Sequence, residues 1–521
     1  MDETRAQAYQ QLIETLLNGP NGEEPQILQA NLELVDSGFL QFCEVVAEKL
    51  AEEGQENQAN YLRNLASQIG QFLGMNDDGD SDNSEGENPQ EYAKFILDLL
   101  KAEQDSNSDV QVIYPMLAGR QHLLNDRFAE ILQQVAQHLI AEHPEAIESI
   151  LGDIGNLSIH IRDFPLGKRA NNLEIAITGY QILLNNWEPG SENWARTQHN
   201  LAIAYADRIR GEKAQNIELA IAYYTAALTV YTRDAFPEKW AGTQNDLGEA
   251  YRNRIRGEKA ENIELAIAYY TAALTVYTRD AFPQDWAGTQ NNLGVAYTYR
   301  IRGEKAENIE FAIAYLTAAL TVYTRDAFPE KWAGTQNNLA IAYSERIRGE
   351  KAENIEFAIA SYTAALTIHT PDAFPQDWAQ TQNNLANAYI KRIRGDKAEN
   401  IENAIASYTA ALTIRTPDAF PEKWAMTQNN LATAYRERIR GDKAENIESA
   451  IASFTAALTV YTRDAFPEYW AMTQHNLGEA YRHRIRGDKA ENIELTIASY
   501  TAALSVYTRE AFPEYWAMTQ K

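Results

Sequence analysis

The sequence predicts an all-α chain whose larger part is a solenoid of stacked helix pairs. Three observations carry this reading. Eight tryptophans, from Trp194 to Trp516, fall at a constant spacing of 46 residues. Each interval holds two apolar stretches at helical period, separated by a glycine. Neither stretch can cover the other completely, so successive intervals must stack to bury them.

One unit runs from Phe236 to Ala281, and the next units repeat it with few changes. Its first helix is expected to begin at Pro237, since proline's fixed φ and missing N–H suit a first turn. Trp240, Thr243, Gln244, Leu247, Ala250, Tyr251 and Ile255 share one face at a period of about 3.6 residues. Gly257 ends this helix, and Asn262 is read as the N-cap of the second. Ile263, Ala266, Ile267, Tyr270, Leu274 and Tyr277 make the second apolar stripe. Ala266, Ala272 and Ala273 are small and allow close helix approach. A large apolar side chain contributes about 1.5–3 kcal/mol only when it is covered. That condition is why one unit is not expected to stand alone.

The boundaries follow from where this pattern starts and stops. Residues 1–74 read as an N-terminal helical domain and 75–90 as an acidic flexible linker, and helical patterning resumes over 91–146. Residues 147–521 form the array of eight helix pairs and a C-terminal stub helix. Gly155 to Tyr180 reads as a degenerate first pair, with Leu157 in the place of Leu247 and Ala176 in that of Ala266. Cys43 sits among apolar neighbours and reads as a core residue. Asp77, Asp78, Asp80 and Asp82 only loosely resemble a calcium loop, lacking a convincing closing glutamate and helix register.

Composition limits the function classes. The net charge is −27, from 46 basic and 73 acidic residues, which repels nucleic acid and anionic membranes at long range. No apolar run is long enough to span a membrane. A single cysteine fits a reducing, cytoplasmic setting. There is no P-loop, no GxGxxG, no HExxH and no CxxC. His475 and His483 share a helix but are eight residues apart, a poor metal pair without a third ligand. The carboxylates recur with the repeat, whereas a catalytic pair is expected once. No cofactor, metal or enzymatic activity is expected.

Leu247, Gly248, Ala250 and Tyr251, followed by Ala266, Tyr270 and Ala273, resemble the signature of tetratricopeptide repeats. That resemblance implies a right-handed superhelix with the first helices lining a concave groove. The usual unit is about 34 residues, so this one is longer by about twelve. The longer unit, with its Ala-Phe-Pro-x-x-Trp and Arg-Ile-Arg-Gly elements, is similar to arrays of cyanobacterial proteins that often precede a caspase-like CHAT protease domain. The segment from Asn21 to Asn31 looks like theirs too. The resemblance implies a helper, sensor or scaffold. No His/Cys protease dyad can be placed in this chain, because its only cysteine is Cys43.

Differences between the units point to a partner-binding groove. Three first-helix series change almost every time: that of Glu249, Val295 and Ile341, that of Arg252, Ile390 and Arg436, and that of Tyr299. These lie within about 100° of one another around the helix. Asn245, Asn291, Asn337, Asn383 and Asn429 recur on the same side, with His199 and His475 at the ends. Amides there can bond the backbone of an extended peptide, and Val295, Tyr299, Ile341 and Ile390 offer an apolar anchor. The competing reading is drift of exposed positions, with asparagines that tie units together. The Arg254/Arg256 pair recurs in seven units and reads as inter-unit ion pairing with Glu258, Glu261 and Asp280.

The expected function is therefore a non-enzymatic scaffold or sensor that binds a peptide or protein partner. The alternative is self-assembly, with a homo-oligomer formed through the open C-terminal repeat.

Overall fold

In the computed structural model, residues 89–520 are described throughout, together with scattered helical positions between Tyr9 and Leu62. The expected linker, the acidic Asp77–Asp82 run and the Asn21–Asn31 segment lie outside the described residues, except Pro89 and Gln90. The chain divides into two compact units, Met1–Pro89 and Gln90–Lys521. In the first, Cys43 is fully buried. All that follows concerns the second.

The second unit is entirely helical among its described residues. Three helices come first: α1 (Pro89–Ser106), α2 (Val110–Gly119) and α3 (Asp126–Glu142). The pairs follow: α4 (Ile147–Asp163) with α5 (Arg169–Asn186), α6 (Glu192–Asp207) with α7 (Lys213–Ala227), and α8 (Pro237–Arg252) with α9 (Lys259–Ala273). Next are α10 (Pro283–Thr298) with α11 (Lys305–Ala319), and α12 (Pro329–Glu345) with α13 (Lys351–Ala365). Then come α14 (Pro375–Lys391) with α15 (Lys397–Leu412), α16 (Pro421–Glu437) with α17 (Lys443–Leu458), and α18 (Pro467–Arg482) with α19 (Lys489–Leu504). A short α20 (Pro513–Thr519) ends the series. Helices α1–α3 share one core with the first pair, running from Tyr92 and Phe95 through Phe128 to Leu157 and Leu183.

Each junction is built the same way. Ile263, Ala266, Ile267 and Tyr270 of α9 pack on Leu293 and Ala296 of α10, in the next unit. The buried alanines let the backbones approach. A second, smaller cluster joins Ala241, Ala273 and Tyr277 to Trp240, Val276, Phe282 and Trp286. Every helix pair but the last is thus sealed by its successor, which is the physical basis of a solenoid. Successive first helices also touch, α8 with α10, α10 with α12 and α12 with α14, while successive second helices are not comparably close. The first helices therefore occupy the tighter, inner side of the stack.

Three local expectations are corrected. Asn262 is not an N-cap: α9 begins at Lys259, and Asn262 lies inside it, buried. Its Nδ2 donates back to the carbonyls of Arg254 (3.5 Å) and Arg256 (2.9 Å), closing the loop between the two helices. Gly257 permits that loop, with a φ of +78° that side chains with a Cβ rarely adopt. Ile255 lies past the end of α8 and is 61% exposed, so the helical period had been carried too far. Tyr277 is buried but lies beyond α9, in the turn leading to Pro283, and belongs to the smaller cluster.

Candidate functional site

The inner surface is made by the first helices, so its chemistry is set by the residues they turn away from their own second helices. The asparagine series runs along it, but its amides are largely spent on neighbours. Asn245 Oδ1 accepts from Thr289 Oγ1 (3.2 Å) and Asn292 Nδ2 (3.3 Å). Asn291 Oδ1 accepts from Asn338 Nδ2 at 3.1 Å. Asn383 and Asn429, both buried, accept from Thr427 Oγ1 (3.2 Å) and Thr473 Oγ1 (3.3 Å). His199 and His475 make the same link, each with Nδ1 at 3.1 Å from the Oγ1 of Thr243 and Thr519 respectively. Asn337 differs, as its buried Oδ1 has no partner.

The variable positions divide by character. Glu249 is exposed and accepts a 3.0 Å bond from Arg252. Tyr299 is 52% exposed and sits within electrostatic reach of Arg252 and Glu345, in the two flanking units. Val295, Ile341 and Ile390 are half-buried, and the latter two pack against the junction cores. Arg436 is half-buried and has no carboxylate partner, because Thr433 stands where Glu249 and Glu479 pair with Arg252 and Arg482.

Two cavities open on this surface. The first, of about 550 Å³, spans α8, α10 and α12 and is lined by Gly242, Gly288 and Gly334, with Asn245, Asp246, Asn291 and Lys331 around them. Its cause is legible in the repeat. Where these three units carry glycine, the others carry Arg196, Gln380, Met426, Met472 and Met518. A Cβ at Gly288 would stand 2.9 Å from Tyr323 Oη, so the phenols of Tyr277 and Tyr323 form the wall that the glycines leave open. Those phenols donate to the carbonyls of Glu238 (3.3 Å) and Gln284 (3.0 Å). In the following units His369 and Arg415 replace the tyrosine, and Arg415 donates to Thr427 and Gln380, both at 2.8 Å. Burial lowers the Arg415 pKa to about 10. The second cavity, about 600 Å³, is lined by Arg436, Lys443, His475, Asn476, Glu479 and His483, with Ile447 and Met518.

The predicted residues are thus not one continuous set. Asn245 and Asn291 meet at the first cavity and Arg436 lines the second. Glu249, Val295, Tyr299, Ile341, Ile390 and the other asparagines line neither. Sequence reasoning missed the glycines and the phenols of the second helices. Tyr270 was read as apolar, yet its buried Oη has no partner, while Tyr408 Oη donates to Asn387 Oδ1 at 2.5 Å. The glycines carried a signal, since they break an otherwise bulky series.

Electrostatics at the first cavity are unusual. Burial pushes the Asp246 carboxyl up to about 7 and the His199 imidazole down to about 4. The two face each other across 3.5 Å. Units further along carry asparagine at both positions, as in the Asn291–Asn338 pair.

The basic ladder is structural, with a partner different from those expected. Arg254 Nε and Nη2 each donate at 2.8 Å to Glu218, on the second helix of the preceding unit. The same bidentate pair links Arg300 to Glu264, Arg346 to Glu310 and Arg392 to Glu356. Each hydrogen-bonded arginine holds its glutamate below the usual carboxylate range. The register of Glu258 and Glu261 supplies only long contacts of 3.6–3.8 Å, such as Arg348 with Glu307 and Arg440 with Asp396. No group of His, Cys, Asp or Glu among the described residues could hold a metal ion. No described helix is long and apolar enough to cross a membrane.

Comparison with known proteins adds the following. No curated protein matches the chain. Solved structures that match include the APC/C hetero-tetramer Cut9-Hcn1, at 14% identity over 99% of this chain and 96% of that one, with a TM-score of 0.38. Yeast Tom70 matches at 11% identity over 93% and 95%, with a TM-score of 0.32. A circular tandem repeat protein matches at 13% identity over 99% and 95%, with a TM-score of 0.15. Residues 378–418 match the family described as Tetratricopeptide repeat. That segment lies within one 46-residue unit of the array, and the neighbouring units repeat it nearly residue for residue.

Proposed function

We propose that the chain is a protein-interaction scaffold whose inner surface holds an extended segment of a partner protein. The observation that supports this best is the glycine-floored cavity over Gly242, Gly288 and Gly334. Three adjacent units lack the side chain that fills this space elsewhere. The opening is lined by amides, hydroxyls, carboxylates and Lys331, which suit a peptide backbone and its polar groups. Asn245 and Asn291 contribute to its lining, and Tyr299 offers an exposed aromatic surface one unit along from Arg252. The narrower version, a regulatory arm for a caspase-like CHAT protease, rests only on the likeness of the long unit to arrays that precede such domains.

The test is selection from a random peptide library displayed on phage. The wild-type chain is expected to enrich a peptide family that Gly288→Met does not bind. Methionine at this register is already carried by Met426 and Met472, so the variant should melt as the wild type does. Equal enrichment by both proteins overturns the reading.

A second reading, stacking through the C-terminal repeat, is favoured by one observation. Ile493 and Ile497 are 48% and 52% exposed, while their equivalents Ile447 and Ile451 are 1% and 9% exposed. That face can accept a further helix pair. Loss of association on Ile493→Glu supports it, and association untouched by that change removes it.

A further inference from the structure

In seven of the eight pairs the inter-helix loop reads Arg-Ile-Arg-Gly, and its isoleucine is turned to solvent every time. From Ile209 to Ile485, at intervals of 46 residues, seven isoleucines are each 59–61% exposed. None joins an apolar cluster found among the described residues.

The neighbours in the loop have work inside the fold. The first arginine clamps the preceding unit, the glycine takes the left-handed turn, and the asparagine five residues further on ties down the loop carbonyls. The isoleucine has no such role. The position is isoleucine in all seven units, and unlike the equally constant and exposed lysine four residues further on, it carries no charge for water to solvate. An apolar side chain kept in water across a whole edge calls for something that covers it.

The occupant follows from the geometry. The row has the period of the stack, so a surface that matches it along its length must carry apolar groups at the same period. A second copy of the array does. Each loop also exposes both signs of charge, Arg256 and Lys259 beside Glu258 and Glu261, so the edge is complementary to itself under a two-fold axis. Seven isoleucines, each covering on the order of 100 Å² of apolar surface, approach the roughly 800 Å² that each partner buries in a standard interface.

We propose that the isoleucine edge is a self-association surface on which a second copy of this chain docks, row against row. The contact is distinct from the inner surface and leaves it open. It is also distinct from the C-terminal face. Two chains of net charge −27 repel, and salt screens that repulsion, so the dimer tightens as ionic strength rises. An interface held by ion pairs would loosen instead.

Sedimentation equilibrium of the full chain at low and high salt tests this. The wild type is expected to dimerise, more tightly at high salt. The triple variant Ile301→Ser, Ile347→Ser, Ile393→Ser should weaken association at least tenfold while keeping its circular dichroism and melting profile. Phe311→Ser with Phe357→Ser, removing exposed aromatics outside the row, should leave association unchanged. An independent arm uses Ile347→Cys, the middle of the row, which meets its own copy at the axis. Copper–phenanthroline oxidation should then link two chains, with Cys43 buried and silent. A wild type that stays monomeric at every concentration and salt overturns the proposal. So does a triple variant that associates as tightly as the wild type, or association lost only on Ile493→Ser.

Discussion

Ile401 and Ile493 occupy the same position in two units and differ only in what covers them. Ile401 is 2% exposed, packed among Ala386, Ala404, Ile405 and Tyr408 of its own pair and Leu431 and Ala434 of the next. Ile493 is 48% exposed. Truncation of Ile401 to alanine removes a covered side chain and leaves a cavity, costing about 2–5 kcal/mol. Truncation of Ile493 leaves a space open to water, so only about half the transfer free energy is lost, on the order of 1 kcal/mol. Native-state hydrogen exchange reads both locally, and each 1.4 kcal/mol is roughly a tenfold change in protection. Protection in α15 should fall at least about thirtyfold for Ile401→Ala, while that in α19 falls less than about tenfold for Ile493→Ala. Equal losses would mean that the following unit contributes nothing to the stability of the one before it, which refutes the stacking argument.

Other outcomes follow from single contacts. Arg346→Ala strands the Glu310 carboxylate, which the guanidinium grips at 2.9 Å with both groups about a quarter exposed, and should lower stability by about 1–2 kcal/mol in urea unfolding. Asn354→Ala leaves the carbonyls of Arg346 and Arg348 without their donor, a loss of about 1–3 kcal/mol by the same measurement. Asp246→Asn tests the half-buried carboxyl. A folded pKa raised to about 7 contributes stability at low pH that is lost as pH rises through 7. His199, lowered to about 4, is neutral over that range and does not offset the charge. The variant should therefore gain in melting temperature over the wild type between pH 5 and pH 8, and a difference constant with pH contradicts this.

Much of the architecture was legible because a repeat multiplies weak signals. One tryptophan or one Phe-Pro says little, but the same pair at 46-residue spacing marks the start of every first helix from α8 onward, and Pro283, Pro329 and Pro375 each stand there. What was not legible depends on which backbone atoms need partners. Asn262 precedes an apolar run and so resembles a cap, yet the carbonyls it satisfies lie behind it, in a loop whose shape Gly257 sets. Ile255 continues the apolar period by sequence, but the helix has already ended. The site was only half legible. Periodicity put the asparagines on the inner side, but whether an amide faces a partner or the next helix depends on the threonine 44 residues on, as with Asn383 and Thr427. The cavity came from absent side chains at Gly242, Gly288 and Gly334, which a search for functional groups passes over.

The central claim is that a 46-residue unit is stable only because its neighbours cover it. Excising residues 237–282 as a separate polypeptide and recording its circular dichroism beside that of the whole chain tests this most directly. The isolated unit should be largely unstructured with no cooperative melt, while the intact chain is strongly helical and melts sharply. A single unit that is fully helical and unfolds cooperatively on its own would contradict the account.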